Sequence, residues 1–95
     1  MKHLIKKIEN RNFTVGVIGL GYVGLPLIHA FHSNDMSVIG LDVDESKINN
    51  LNKGIPYIKH FGTEIMSELS KSHKAKFYSD FSYSSSCDAL ILCVP

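Results

Sequence analysis

The sequence has 95 residues, enough for one small domain with a single modest hydrophobic core. Apolar residues make up 44% of the chain and charged residues 20%, which is typical of a globular protein and argues against a disordered or fibrous one. Ten basic side chains are nearly balanced by nine acidic ones, so the net charge of +1 gives no sign of a nucleic-acid-binding surface. The sequence lacks the roughly 20 consecutive apolar residues of a membrane span and the pattern of a signal peptide. We therefore expect a soluble, cytoplasmic protein with neither membrane nor nucleic-acid partners.

The first half of the chain predicts a strand, a helix and a second strand, after a polar N-terminal segment at residues 1–12. The β-rich run Phe13–Ile18 is typical of a strand buried on both faces, and it ends at Gly19. The apolar period then becomes helical, and the second short strand is predicted at Ser37–Leu41. The helical stripe that we expect to face the core consists of Val23, Leu27, Ala30 and Phe31.

The second half predicts two short helices and two further strands. Asp44 and Thr63 are the expected N-caps of the helices, and Gly54 with Pro56 ends the first of them. A short strand is expected near Lys76–Tyr78, followed by a turn or short helix over residues 80–86. The apolar run at residues 89–94 has the pattern of a strand buried in the centre of a parallel sheet.

Strands that alternate with helices predict an α/β protein with a Rossmann-like, doubly wound parallel sheet. Helices would lie on both faces of this sheet, and the sheet would be truncated after about the fourth strand. Residues 13–95 would form this partial domain. In the usual strand order the last run would lie at an edge of the sheet with unpaired backbone groups, so self-association is expected.

The glycines of the segment VGVIGLGYVGLP, residues 15–26, lie between the first strand and the first helix. Gly19 would permit a sharp turn, Gly21 would let the backbone approach a pyrophosphate, and Gly24 would allow the helix to pack closely on the sheet. A glycine turn that serves packing alone would account for Gly19 and Gly24 but not for Gly21. The pattern therefore favours a dinucleotide site, with the phosphates at the helix N-terminus.

An acidic residue at the end of the second strand is the other requirement of a dinucleotide site, because it accepts hydrogen bonds from the adenosine ribose. Asp42 lies there, 23 positions after Gly19. Its carboxylate would repel a 2′-phosphate, and the next residue is Val43 rather than an arginine, so NAD is favoured over NADP. Lys47, in the following helix, could reach back toward the ribose or phosphates, although a solvated lysine is the more common outcome.

Several segments together resemble the amino-terminal part of the UDP-glucose/GDP-mannose dehydrogenase family. They are GLGYVGLP at residues 19–26, GLDVDESKI at 40–48, LNKG at 51–54 and CDALILCVP at 87–95. Within that family, YIKH at residues 57–60 resembles the bacterial UDP-N-acetylhexosamine branch, especially the UDP-N-acetylglucosamine 6-dehydrogenases of surface-polysaccharide synthesis.

The resemblance implies an NAD-dependent, two-step oxidation of a nucleotide-sugar C6 alcohol to the carboxylate through a thiol-bound intermediate. It implies that the ribose is held by Asp42, with Lys47 as a further cofactor-binding residue and Val94 at a strand end that passes under the cofactor. The residues implied to line the pyrophosphate are Gly19, Leu20, Gly21, Tyr22 and Val23, with Gly24 beside them. The catalytic cysteine and lysine of the family and its substrate domain have no counterpart in these 95 residues, so we expect the chain alone to be inactive. We also expect its parent to be a homo-oligomer.

Two cysteines, Cys87 and Cys93, are too few for a disulfide framework, and neither follows the nucleophile motif of the family. We expect both to be structural thiols, with Cys93 in a buried strand, and no metal site, because no cysteine or histidine has zinc spacing. Two other functions stay open at this point. The chain could be the NAD-binding domain of a hydroxyacid or 6-phosphogluconate dehydrogenase, or a stand-alone NAD-binding regulatory module.

Overall fold

The computed structural model describes residues 13–58 and 61–93, which form a four-stranded parallel sheet with three α-helices. The strands are β1 (Thr14–Ile18), β2 (Ser37–Leu41), β3 (Ala75–Tyr78) and β4 (Ala89–Leu92), in the spatial order β3-β2-β1-β4. The helices are α1 (Gly24–Ser33), α2 (Glu45–Lys53) and α3 (Thr63–Lys71), and a 3₁₀-helix (Phe81–Ser86) joins β3 to β4. This architecture confirms the predicted Rossmann-like fold. The predicted N-terminal segment, residues 1–12, lies outside the described residues.

One face of the sheet carries the hydrophobic core, to which all three α-helices contribute. Alternate strand residues such as Val15, Val17 and Val38 point to this face, as the strand register requires. They pack against fully buried side chains of the helices, among them Leu25, Leu51, Met66 and Leu69.

The other face of the sheet is covered by the 3₁₀-helix. Tyr78 is in register with Leu41 on that face, and its ring stacks on Tyr83 of the 3₁₀-helix with 3.7 Å between the ring centroids. Among the described residues the α-helices therefore lie on one face, and the second face has a single turn-like element instead of the α-helix that the alternating pattern predicts.

The buried side of α1 differs from the predicted stripe. The helix buries Gly24, Leu25 and Ile28, whereas Val23 is 63% exposed and Ala30 is also exposed. The prediction was right for Phe31, which packs against the core, and wrong for Val23 and Ala30. The close approach of Gly24 to the Gly19 carbonyl is consistent with the face that α1 buries.

The predicted helix caps have mixed outcomes. Asp44 caps α2, since its Oδ1 accepts hydrogen bonds from the Ser46 N–H at 3.0 Å and the Ser46 hydroxyl at 2.6 Å. Gly54 ends α2 in the left-handed conformation at φ 72°. The prediction that Thr63 caps α3 was wrong: Gly62 occupies the N-cap position and Thr63 is the first helical residue.

The last strand is shorter and more exposed than predicted. β4 ends at Leu92, and among the described strands it pairs only with β1, so it lies at the edge of the sheet. Leu90 is 49% and Leu92 68% exposed. Cys93 follows the strand and is half-buried, which corrects its predicted place inside a buried strand.

Candidate functional site

A cleft of about 890 Å³ opens where the carboxyl ends of β1, β2 and β4 meet. This edge is where open parallel sheets bind their ligands. Of the residues predicted to form a cofactor site, Gly19, Leu20, Gly21, Tyr22, Val23, Asp42 and Lys47 all line the cleft. Gly24 lies immediately behind it in the first turn of α1, and Val94 lies outside the described residues.

The three glycines of the loop have different surroundings. Gly19 has a φ of 97°, a conformation that side-chain-bearing residues rarely adopt, and it turns the chain out of β1. A Cβ at Gly24 would overlap the Gly19 carbonyl oxygen, so this glycine is required for packing. A Cβ at Gly21 would meet no atom of the described residues within 4 Å, so the space above Gly21 is free to admit a ligand close to the backbone.

The N-terminal end of α1 is electrostatically suited to bind an anion. Val23 at the N-cap position provides no side-chain cap, and no acidic residue lies in the first turn of α1. The N–H groups at the start of a helix have no partner within the helix and carry a partial positive charge. In α1 the Leu25 N–H already donates to the Gly21 carbonyl oxygen at 3.1 Å, and Pro26 has no N–H. The first turn therefore offers phosphate oxygens the Gly24 N–H, which makes no hydrogen bond among the described residues, and the positive end of the helix.

Asp42 holds the glycine loop and the loop after β2 together. Its Oδ2 accepts a hydrogen bond from the Leu20 N–H at 2.9 Å, and its Oδ1 accepts one from the Asp44 N–H at 2.9 Å. The residue is only 8% exposed, yet it lines the cleft. Because a carboxylate can accept about four hydrogen bonds, it retains capacity for hydroxyl groups of a ligand.

Lys47 gives the cleft a cation near this carboxylate. Its Nζ lies 3.9 Å from the Asp42 Oδ2, and its side chain is about one-third exposed. Val43, the residue after Asp42, is 81% exposed at the mouth of the cleft and carries no charge.

Leu20 contributes to the cleft through its backbone only. Its side chain is fully buried in the core, unlike that of Tyr22, which is 76% exposed. The Leu20 carbonyl oxygen accepts a hydrogen bond of 2.7 Å from the Tyr57 hydroxyl, in the loop between α2 and α3.

Five cleft residues were not predicted from the sequence. Two of them, Ile18 and Leu92, end β1 and β4, so the rule that ligands bind at the carboxyl ends of parallel strands could have identified them. The others are Val43, Phe81 and Cys93. Phe81 lies in the 3₁₀-helix, whose path across the second face of the sheet has no signature in the sequence.

The cysteine thiols lie in different surroundings. Burial, together with the nearby Asp88 carboxylate, raises the pKa of the Cys87 thiol, which makes it a weaker nucleophile at neutral pH. Cys93 lines the cleft and is half-buried. Within residues 13–58 and 61–93, histidine, cysteine and carboxylate side chains form no group of three that could hold a metal ion.

Residues 13–95 match the NAD-binding domain of the UDP-glucose/GDP-mannose dehydrogenase family. The chain belongs to this family. Its cofactor is accordingly NAD, and residues 13–95 correspond to the NAD-binding domain of this family of NAD-dependent nucleotide-sugar dehydrogenases.

Relatives within the family match nearly the whole chain. A UDP-N-acetyl-D-mannosamine dehydrogenase of Methanococcus vannielii is 32% identical over 94 residues, which is 99% of this chain and 21% of that protein. The solved UDP-glucose dehydrogenase of Pyrobaculum islandicum superposes on 86% of the chain with a TM-score of 0.79 and 28% identity. The UDP-D-ManNAc dehydrogenase of Pyrococcus horikoshii does so over 86% with a TM-score of 0.78 and 28% identity. The chain spans 19% and 20% of these two solved chains, respectively.

No helix in the part of the chain that the structure describes is long and apolar enough to cross a membrane.

Proposed function

We propose that the cleft holds NAD with its pyrophosphate over the glycine loop and its adenosine ribose at Asp42. The free space above Gly21 carries this proposal, because a backbone that a ligand can approach without a Cβ suits a pyrophosphate and serves no packing role. Lys47 would add a cation near the ribose or phosphates, and Val94 remains a predicted cofactor-binding residue.

The two residues that follow β2, Asp42 and Val43, support NAD rather than NADP in this arrangement. A 2′-phosphate would lie beside the Asp42 carboxylate, and the neighbouring Val43 could not neutralise it. Lys47 is the only cation near Asp42 among the described cleft residues, and its Nζ lies 3.9 Å from that carboxylate. Because Asp42 already opposes the charge of Lys47, this lysine is less able to neutralise a 2′-phosphate.

We further propose that the whole protein oxidises the C6 alcohol of a UDP-N-acetylhexosamine to the uronate. The chain would supply the cofactor half of the reaction: it binds NAD, fixes the position of the pyrophosphate and places the cofactor at the edge of the sheet. When bound, NAD accepts hydride from the substrate. We assign no catalytic role to Cys87 or Cys93, since the raised pKa of Cys87 disfavours its thiolate and Cys93 does not follow the nucleophile motif.

The identity of the sugar has two candidates. The names of the relatives favour UDP-N-acetylmannosamine, because the Methanococcus vannielii protein and the Pyrococcus horikoshii structure are both described as mannosamine dehydrogenases. The segment YIKH at residues 57–60 favours UDP-N-acetylglucosamine by its resemblance to that branch. A role in surface-polysaccharide synthesis, a cytoplasmic location and a homo-oligomeric state remain predictions for either sugar.

The two sugars are distinguished by an assay of the complete gene product. NAD reduction is followed by absorbance with UDP-N-acetylmannosamine, UDP-N-acetylglucosamine and UDP-glucose at equal concentration. We expect two NAD reduced per sugar, with kcat/KM for one N-acetylhexosamine at least about tenfold above that for UDP-glucose. A preference for UDP-glucose, or for a hydroxyacid, would contradict the proposal.

A further inference from the structure

Leu20 is tied to the rest of the domain through both of its backbone polar groups. Its N–H donates to the Asp42 carboxylate, and its carbonyl oxygen accepts from the Tyr57 hydroxyl at 2.7 Å. The residues on either side, Gly19 and Gly21, are glycines, which lose more conformational freedom on folding than any other residue. Backbone bonds hold the two flanks of the loop, since the Gly19 N–H donates to the Leu41 carbonyl oxygen at 2.8 Å and the Gly21 carbonyl oxygen accepts from the Leu25 N–H at 3.1 Å. The contacts at Leu20 thus hold the middle of the loop segment that faces the cleft.

Tyr57 is suited to be a permanent donor in this contact. It is half-buried, and its ring packs against the hydrophobic core. Burial raises the pKa of its phenol well above the ordinary value of 10.0, and the negative charges of Asp42 and Asp44 raise it further. At neutral pH the hydroxyl therefore keeps its proton and can donate a hydrogen bond to the Leu20 carbonyl.

Tyr57 does not line the cleft, so a direct contact with a bound cofactor is not its function. Its hydrogen bond crosses 37 positions of sequence and connects the α2–α3 loop to the glycine loop. We propose that Tyr57 is a positioning residue for NAD, which holds the Leu20 carbonyl so that the backbone of Gly21 and Tyr22 faces the cleft in the binding geometry. This inference rests on the proposed role of the glycine loop.

The physical reason is the entropy of the loop. A loop that is already ordered does not lose conformational freedom when the ligand binds, and the binding free energy is correspondingly more favourable. Without the Tyr57 hydroxyl, the Leu20 carbonyl would lose its hydrogen bond among the described residues. The peptide between Leu20 and Gly21 would then be held only from its two sides, by the bond of the Leu20 N–H to Asp42 and by that of the Leu25 N–H to the Gly21 carbonyl.

The test compares Tyr57→Phe with Tyr83→Phe in the 95-residue chain. The first substitution removes the hydroxyl and keeps the packed ring. The second removes a hydroxyl that makes no hydrogen bond within residues 13–58 and 61–93, so it controls for the loss of a phenol oxygen. The measurements are the NAD dissociation constant by calorimetry, the thermal midpoint, and amide hydrogen exchange.

For Tyr57→Phe we expect the NAD dissociation constant to rise about 3- to 10-fold, which corresponds to the free-energy contribution of one hydrogen bond. Amide exchange should accelerate at residues 20–23 and stay unchanged in β1 and β2, and Tyr83→Phe should have neither effect. An unchanged affinity for Tyr57→Phe, with the unmodified chain binding NAD, would overturn the positioning role alone. Faster exchange throughout the sheet would overturn it as well, since it would show a merely structural role. A failure of the unmodified chain to bind NAD would overturn this inference together with the proposed function.

Discussion

At the scale of single residues, two glycines of one motif have separate physical roles. Gly24 lies against the Gly19 carbonyl and lets α1 approach the sheet, whereas Gly21 borders open space. The position of each glycine in the motif predicts different roles, and the surroundings of the two residues show that only Gly24 is needed for packing. The separation makes the motif testable one glycine at a time.

Gly21→Ala should leave the fold intact and weaken NAD binding. The φ of Gly21 is outside the left-handed region and a Cβ would meet no atom of the described residues, so the free energy of unfolding should change by no more than about 0.5 kcal/mol. The methyl group would keep the pyrophosphate from the backbone N–H groups, and the NAD dissociation constant should rise about 10- to 100-fold. Chemical denaturation and calorimetry measure the two quantities. Unchanged NAD affinity would contradict the proposed place of the pyrophosphate.

Gly24→Ala is the matched substitution with the opposite expectation. Alanine is favoured over glycine inside helices by about 1 kcal/mol, but overlap with the Gly19 backbone should outweigh this gain. We expect a net loss of about 1–3 kcal/mol in the free energy of unfolding, measured by the same denaturation experiment. A Gly24→Ala variant as stable as the unmodified chain would show that the helix can move away at no cost.

At the scale of elements, helix α2 depends on the cap that Asp44 provides. The hydrogen bonds from the Ser46 hydroxyl and N–H hold the pKa of Asp44 below its ordinary value of 3.8. A lowered pKa in the folded state contributes stability that is present above pH 3.8 and is lost as the pH falls through the lower, folded-state value. Asp44→Asn keeps an acceptor that does not titrate, so it serves as the matched variant.

The role of the cap is tested by the thermal midpoints of the unmodified chain, Asp44→Ala and Asp44→Asn, measured between pH 2 and pH 7. Asp44→Ala should melt below the unmodified chain at pH 7, and the difference should shrink below pH 3.8 as the native carboxylate becomes protonated. Asp44→Asn should melt near the unmodified chain at pH 7. A difference between Asp44→Ala and the unmodified chain that stays constant across this range would contradict the assigned cap.

The elements could be predicted from the sequence wherever a local rule determined them. Residues 14–18 and 37–41 are short β-rich runs, Asp44 has the side chain that an N-cap requires, and Gly54 can adopt the left-handed conformation that ends a helix. The close packing of Gly24 could be predicted from the motif, but the apolar period of α1 placed Val23 and Ala30 on the buried side, where the structure has Leu25 and Ile28. The bond from Tyr57 to Leu20 also has no local signal, because it joins positions 37 residues apart through a loop without regular structure.

The candidate site, too, could be predicted from the sequence only in part. The motif spacing identified the residues of the glycine loop and Asp42, and the structure brings them to one cleft. Spacing carries no information on which part of a residue faces a ligand, so it did not distinguish the backbone of Leu20 from its buried side chain. The contribution of Phe81 to the cleft depends on how the 3₁₀-helix crosses the second face of the sheet.

At the scale of the whole molecule, β4 lies at an edge of the sheet that no other described strand covers, beside an apolar surface. Leu90 and Leu92 are exposed on the face opposite the α-helices, in register with Gly16 and Ile18. Edges of this kind pair with other chains unless charges or bulges prevent it. Self-association of the 95-residue chain therefore remains a prediction of the edge position.

Leu90→Lys tests this prediction without altering a residue that lines the cleft. A charge on the exposed face should disfavour contact between copies, so the mean mass by light scattering should fall toward that of a monomer. The control is Lys76→Arg, which retains a charge on the same face at the opposite edge of the sheet. A strictly monomeric unmodified chain at high concentration would contradict the prediction.

The central claim is that Asp42 and the glycine loop form an NAD site, and it is tested most directly by the ratio of NADP to NAD dissociation constants. Asp42→Ala disturbs the glycine loop as well as the ribose contact, but the first effect weakens both cofactors alike and cancels in the ratio. We predict that the unmodified chain binds NAD about tenfold or more tightly than NADP, and that Asp42→Ala brings the ratio close to one. Equal affinity for the two cofactors, unaffected by the substitution, would contradict the claim.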